Sequence, residues 1–434
     1  MRFPKVSTVI HGHSEIRLPK MIKVRQRFDS VTIDDPVAEL QRLLLRNVPQ
    51  ATIANLPGKS IAVSASSRGI PFHKELLKAM VDQLRAWGAE PFVFPAMGSH
   101  AGGTAESQKT FLEEYGITEE FIGAPIRSSM EVVEIARTEE GMAVYCDKFA
   151  AEADGIVVFN KIKPHTHLKA SHESGLLKMI CIGMGKHMGA ATFHSKSFDE
   201  FEKYMVIVTE KFMQARNIIF GVGLTQNAYD LIGKIDVFPP DKIVEGDAAM
   251  LALAKEQMAR LKFDAVDVLI IDEIGKDISG VGFDTNVSGR IEVISQQAAF
   301  RAGAPDIKKI VLLDITDHSH GNASGMGEAD LVSYRFVNKI DFGSTYTNII
   351  TNKYLKAASM PIYGNSDLDV IKTALLTSIH ADLDNPKIVR IKNTLKLEEM
   401  EVSTAYLEEI GKRDDIDVIS EPYEWAFNSE DNLW

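Results

Sequence analysis

Apolar and polar positions change period repeatedly along the chain from about residue 58 onward. The run SIAVS at 60–64 is short and continuously apolar, the pattern of a buried strand, and 72–87 carries Leu76, Leu77, Met80, Val81 and Leu84 at helical spacing. Residues 91–97 read as a second strand and 104–115 as a helix with Thr104 at its N-cap. Apolar runs at 155–159 and 217–224 add strands, and a helix over 245–261 follows Pro239 and Pro240. The series then restarts. Residues 266–271 (VDVLII) and 309–313 (KIVLL) are buried strands, 329–339 and 367–380 are helices, 389–391 is a strand and 397–411 a helix. Strands of this kind alternating with helices predict an α/β chain.

A chain of 434 residues exceeds what one core fills, so two domains are expected, 1–263 and a smaller 264–434. Each should hold a mostly parallel sheet flanked by helices. The charge balance, 48 basic against 60 acidic residues and a net charge of -12, disfavours nucleic acid and anionic membrane as partners. It permits a small anion where cations are focused in one cleft. With two cysteines, Cys146 and Cys181, there is no disulfide framework, so a reducing, cytoplasmic setting is expected. The first residues show no signal peptide, and no apolar run is long enough to span a bilayer.

Ligands of open parallel sheets bind beyond the carboxyl ends of the strands. That rule selects the loops after residues 64, 94, 159 and 271. Five of the twelve histidines, His165, His167, His172, His187 and His194, fall in or just beyond the third loop, which suits metal binding or proton transfer; each alone could equally be a bland loop histidine. Lys161, Lys163, Lys169, Lys178 and Lys186 make the same region a positive patch in an acidic chain, fit for phosphate or carboxylate. Lys178 stands apart, in the apolar stretch GLLKMICI at 175–182, where desolvation would free its amine for covalent work; the bland alternative is a lysine snorkelling at a helix end. His100 follows a strand among Gly98, Gly102 and Gly103, and Arg68 occupies the corresponding loop one strand earlier, able to hold a carboxylate with both arms of its guanidinium. There is neither a GxGxxG motif after a strand nor a P-loop; the Gly-rich 321–327 lacks the P-loop lysine.

Taken in order, Ser67-Arg68-Gly69, Gly98-Ser99-His100, Lys163-Pro164-His165-Thr166, Glu173-Ser174-Gly175-Leu176-Leu177-Lys178 and then His194 resemble the lactate racemase family, whose enzymes use a nickel-pincer nucleotide tethered to a lysine. The resemblance implies a cofactor-binding first domain, a smaller second domain closing over it, an active site in the cleft between them, and a last stretch after about residue 400 returning to the first domain. Lys178 would join the cofactor through a thioamide, with Lys163, Ser67, His167 and His172 near the nucleotide and His194 as nickel ligand. His100 and His165 would be the acid/base pair, Arg68 the arginine at the substrate, and Lys276 the second domain's substrate-contacting lysine. The implied activity is an isomerase, a racemase or epimerase of a small anionic 2-hydroxy acid, served by cofactor-synthesis proteins; a homo-oligomer is allowed. Lactate-specific members carry an acid where this chain has Ala65 and an arginine where it has Ala101, and they space the second histidine closer to the lysine than His165 is to Lys178. These departures question lactate rather than the cofactor, and they leave His167 or His172 open for the part given to His165. Two other readings are a zinc-dependent hydrolase built on His165, His167, His172 or His194, with no HExxH to support it, and a non-catalytic small-molecule binding protein.

Overall fold

The apolar run at 60–64 is a strand, Ser60–Ala65, in the computed structural model, which describes residues 3–7, 10–67 and 69–434, with the backbone alone at residue 352. It is the second strand of a five-stranded sheet in the order Glu90–Pro95, Ser60–Ala65, Gly155–Lys161, Ile218–Gln226, Ile232–Phe238. The first four are mutually parallel and the last is an antiparallel edge. The helix His73–Ala86 buries Leu76, Leu77, Met80, Val81 and Leu84, the stripe its sequence predicts. These side chains form one core with Val63, Val157, Phe159 and Phe220 of the sheet. Thr104 caps the helix Ala105–Glu114 in a reciprocal box with Ser107. A separate hairpin pairs Val132–Arg137 with Ala143–Asp147. All of this belongs to one unit, residues 30–258.

The other unit comprises residues 1–29 and 259–434. Its eight-stranded sheet runs Ile362–Tyr363, Leu331–Val332, Asp306–Ile315, Ala265–Ile274, Ile388–Ile391, Glu399–Ser403, Met21–Gln26, Ile416–Val418. The first five strands are parallel and the remainder pair antiparallel. The expected cut near residue 264 therefore meets two differences. Residues 1–29 group with the later part of the chain, because Met21–Gln26 takes its hydrogen bonds from Glu399–Ser403 and Ile416–Val418. The residues after 400 stay in this same unit for the same reason.

The helix expected at 397–411 gives way to a strand, Glu399–Ser403, over its first part. Met400 and Val402 are buried while Glu399 is exposed and Glu401 half-buried, a period of two, and helix is confined to a 3-10 turn at Thr404–Tyr406 and the α-helical Leu407–Ile410. The helix expected at 329–339 shrinks to Tyr334–Lys339, preceded by the short strand Leu331–Val332. Among the described residues no helix is long and apolar enough to cross a membrane.

Candidate functional site

In the unit of residues 30–258 the carboxyl ends of three adjacent parallel strands lie at Ala65, Pro95 and Lys161, so the loops 66–72, 96–104 and 162–175 leave one edge of the sheet. The third loop is closed on itself. The Lys163 amide donates to the Ser174 carbonyl at 2.8 Å, and the Asn160 side-chain amide donates to the Gly175 carbonyl at 2.8 Å. Glu173, buried, accepts the amides of His165 at 2.7 Å and Ala170 at 3.0 Å and pairs with Lys255 Nζ at 2.6 Å. Lys255 also donates to the Ala170 carbonyl at 2.7 Å.

Asp247, on the same helix as Lys255 (Ile243–Gln257), caps the turn that carries the candidate lysine. Its Oδ1 accepts the Leu176 amide at 2.5 Å and its Oδ2 lies 3.2 Å from His172 Nδ1. The backbone of Gly175 passes so close that a Cβ there would sit 2.1 Å from Asp247 Oδ1, which is why the motif has glycine at this place. After it come the turn Leu176–Lys178 and a π-helical turn, Met179–Gly183, a departure from α geometry frequent at functional sites. From 175 to 186 every residue is buried except Lys178, which is half-buried. The apolar stretch thus packs inward on both sides of one partly accessible amine.

The helix Phe198–Ala215, against which the Leu176–Lys178 turn packs, gathers three of the sequence-predicted histidines through two aromatic rings. His167 stacks on Phe198 at 5.3 Å between ring centroids and 3° between planes, and His165 lies 6.0 Å from the same ring. Phe198 contacts Phe201 at 4.5 Å, and Phe201 contacts His194 at 6.0 Å. His165 and His167 are also joined, the His167 amide donating to His165 Nδ1 at 3.0 Å.

His100 stands exposed on the second loop, and its Nδ1 is 2.6 Å from Ser67 Oγ on the first. That bond holds the plane of the imidazole. The second loop is tied to the lysine-bearing segment: the Gly98 amide donates to the Gly183 carbonyl at 3.0 Å, and His187 Nε2 meets the Gly103 carbonyl at 3.1 Å. Arg68 lies outside the described residues. Lys161 donates to the Gly69 carbonyl at 2.8 Å and to the Gln226 side chain. Beneath this edge His73 is buried against Phe159, and burial pushes its pKa down to about 4, with Lys161 adding to the effect.

Lys276 belongs to the other unit, just past the strand Ala265–Ile274. Its ammonium donates to the Gly280 carbonyl and to Asn348 Oδ1, both at 2.6 Å, and its amide donates to Ser319 Oγ at 2.8 Å.

Among the described residues no group of three or more His, Cys, Asp or Glu side chains is arranged to hold a metal ion, as a zinc site built from protein ligands requires. His167 is engaged by Phe198 and His172 by Asp247. A nickel ion already carrying donors of a tethered nucleotide asks for one further donor, and imidazole suits it. The half-buried Lys178 on its capped turn and the separate histidines fit that group. Sequence reasoning misses Asp247, Lys255 and Phe198, which position the loop; Glu173 lies within a quoted motif without a role assigned to it.

Residues 20–205 match the family model described as the lactate racemase N-terminal domain, a span that includes Ser67, His100, Lys163, His165, Lys178 and His194. The fold is similar to that of the lactate racemase apoprotein from Thermoanaerobacterium thermosaccharolyticum, with a TM-score of 0.55 and 15% identity over 87% of this chain and 99% of that one. A protein of Thermotoga maritima is more distant, with a TM-score of 0.45 and 14% identity over 64% of this chain and 69% of that one. No curated protein matches the chain. Over residues 20–205 the chain is thus similar to the lactate racemase N-terminal domain, and its fold is similar to that of the lactate racemase apoprotein at low sequence identity.

Proposed function

We propose that the protein is an isomerase, a racemase or epimerase of a small 2-hydroxy acid, working with a nickel-pincer nucleotide joined to Lys178. The observation that carries this reading is the capped turn, which leaves Lys178 as the single partly accessible residue of a buried stretch beside the helix that gathers His165, His167 and His194. When bound, the nucleotide supplies a nickel-bearing pyridinium ring able to accept and return a hydride. His194 would give the metal an imidazole, while Ser67, Lys163, His167 and His172 would border the nucleotide. Arg68 would hold the substrate carboxylate, which a chain of net charge -12 otherwise repels.

His100 and His165 divide the proton work. Each is suited, as an imidazole, to remove the hydroxyl proton of one enantiomer and return it to the other. Ser67 orients the first ring, and the Glu173-held loop orients the second. Ala65 and Ala101, small where lactate-specific members carry charge, point to a 2-hydroxy acid other than lactate.

The test is expression together with cofactor-synthesis proteins, followed by intact mass, elemental analysis and a panel of 2-hydroxy and aldonic acids assayed for stereochemical inversion. An adduct that disappears in Lys178→Ala, nickel in the protein and inversion of at least one acid are expected. His100→Ala and His165→Ala should each abolish inversion with the adduct retained. Zinc without an adduct would turn the assignment to a hydrolase, and ligand binding with neither would turn it to a binding protein. Full activity in His100→Ala would overturn the acid/base pair.

A further inference from the structure

Lys186 is 0% exposed and its backbone is left-handed, with φ at +52°. A residue with a Cβ avoids that conformation, and an ammonium avoids burial unless its donors are matched. They are matched three times. Nζ lies 3.3 Å from Asp147 Oδ2, donates to Gln108 Oε1 at 3.2 Å, and donates to the carbonyl of Pro95 at the end of a sheet strand. Asp147 is itself buried, and its other oxygen accepts the amides of Phe149 at 2.9 Å and Ala150 at 3.1 Å.

The consequence reaches the loop of His100 through Gln108. With its oxygen held by the ammonium, the Gln108 amide must present its NH2 group in the opposite direction. There it donates to the carbonyls of Gly98 at 3.1 Å and His100 at 3.2 Å. The Gly183–Gly98 and His187–Gly103 hydrogen bonds flank this contact, so the segment 183–187 meets the loop directly at two places and through Gln108 at a third.

We propose that Lys186 is a positioning residue: acting through Gln108, it fixes the loop that bears His100 onto the segment that continues from Lys178. The value of that fixation to catalysis rests on His100 being one of the acid/base pair; the fixation itself does not. A fold-stabilising ion pair alone would need Asp147, not an amide that turns its other face to the two loop carbonyls.

Gln108→Glu separates the two roles. The carboxylate keeps the shape and gives Lys186 a stronger acceptor, but it removes both donors to the loop. In the cofactor-free chain, hydrogen exchange at residues 97–104 should accelerate by about tenfold or more while the rest of the unit exchanges as in wild type. The 15N signals of the His100 ring should report a changed tautomer balance as its bond to Ser67 loosens. In the loaded enzyme kcat should fall more than KM changes, with the Lys178 adduct mass intact. Gln108→Leu, which also deletes the donors, serves where the glutamate variant does not fold. Unchanged exchange at 97–104 and unchanged His100 signals in a folded variant would overturn the proposal. Should the wild type invert no 2-hydroxy acid, the enzymatic reading fails, and the exchange measurement still decides whether Gln108 holds the loop. Lys186→Met should reproduce the effect if Lys186 acts through it, and unchanged exchange in a folded Lys186→Met would overturn its part.

Discussion

Replacing Gly175 by alanine would place a methyl carbon 2.1 Å from Asp247 Oδ1 and 2.8 Å from its Cγ, where ordinary contact begins at 3.4 Å. The backbone is not the obstacle, since φ at Gly175 is −167°, extended and open to any residue. The whole effect falls on the carboxylate, which must retreat within an interior that leaves it 1% exposed. Retreat breaks the bond from the Leu176 amide and disturbs the contact with His172. A hydrogen bond to a charged group contributes about 1.5–3 kcal/mol, and forcing an extra methyl into a packed site costs about 1–3 kcal/mol. The sum is about 2.5–6 kcal/mol, a large share of the roughly 5–15 kcal/mol that keeps a domain folded. In an Asp247→Ala background the methyl meets no carboxylate, so the same substitution should cost about 2 kcal/mol less. Urea unfolding of the four chains measures the cycle, with hydrogen exchange at residues 176–178 isolating the local step because two units need not unfold together. Costs that add within about 0.5 kcal/mol would refute the collision and with it the role of Asp247 as cap.

Two further outcomes follow from the same unit. His73 has its pKa lowered by burial to about 4, so between that value and its ordinary 6.5 the unfolded chain binds a proton the folded chain refuses. Stability is full above pH 6.5 and declines as pH falls, by about 3 kcal/mol at pH 4; His73→Leu should flatten that part of the urea-midpoint profile, and parallel profiles would contradict the assignment. Glu173→Gln leaves Lys255 without its anion and weakens the grip on the His165 and Ala170 amides. A loss of about 2 kcal/mol is expected, less than for a wholly buried pair because Lys255 is one-third exposed, with faster exchange at 165–170; wild-type melting and exchange would show that the loop does not depend on this carboxylate.

The α/β class is legible because its signals are local. The stripe from Leu76 to Leu84, the Thr104 cap and the apolar strands at 60–64 and 155–159 each need fewer than twenty residues to recognise. The strand Met21–Gln26 is not legible, since the edges that make MIKVRQ a strand arrive almost four hundred residues later. At 397–411 acidic residues and leucines suggest one helix, yet pairing with Met21–Gln26 and Ile388–Ile391 makes Glu399–Ser403 a strand and leaves helix only after it. The helix Phe198–Ala215 could have been found from its Ser197 cap and the stripe Phe201, Tyr204, Met205, Val208, Phe212, yet the dense histidines before it draw attention away. At the site the chemistry-bearing residues are visible as a cluster, whereas what holds them is not. Asp247 and Lys255 read as ordinary acid and base on a helix until folding brings them under a loop some eighty residues earlier.

The pairing of Met21–Gln26 with Glu399–Ser403 also orders events at the ribosome. Residues 30–258 have all their sheet partners among themselves and can fold as soon as they emerge, while the strand synthesised before them waits, its edges unsatisfied, for nearly the whole remaining length of translation. During that interval an extended, half-apolar segment is open to other chains. Truncation after residue 398 should therefore harm the early strand more than the middle of the protein, and residues 30–258 should be the portion that survives expression alone.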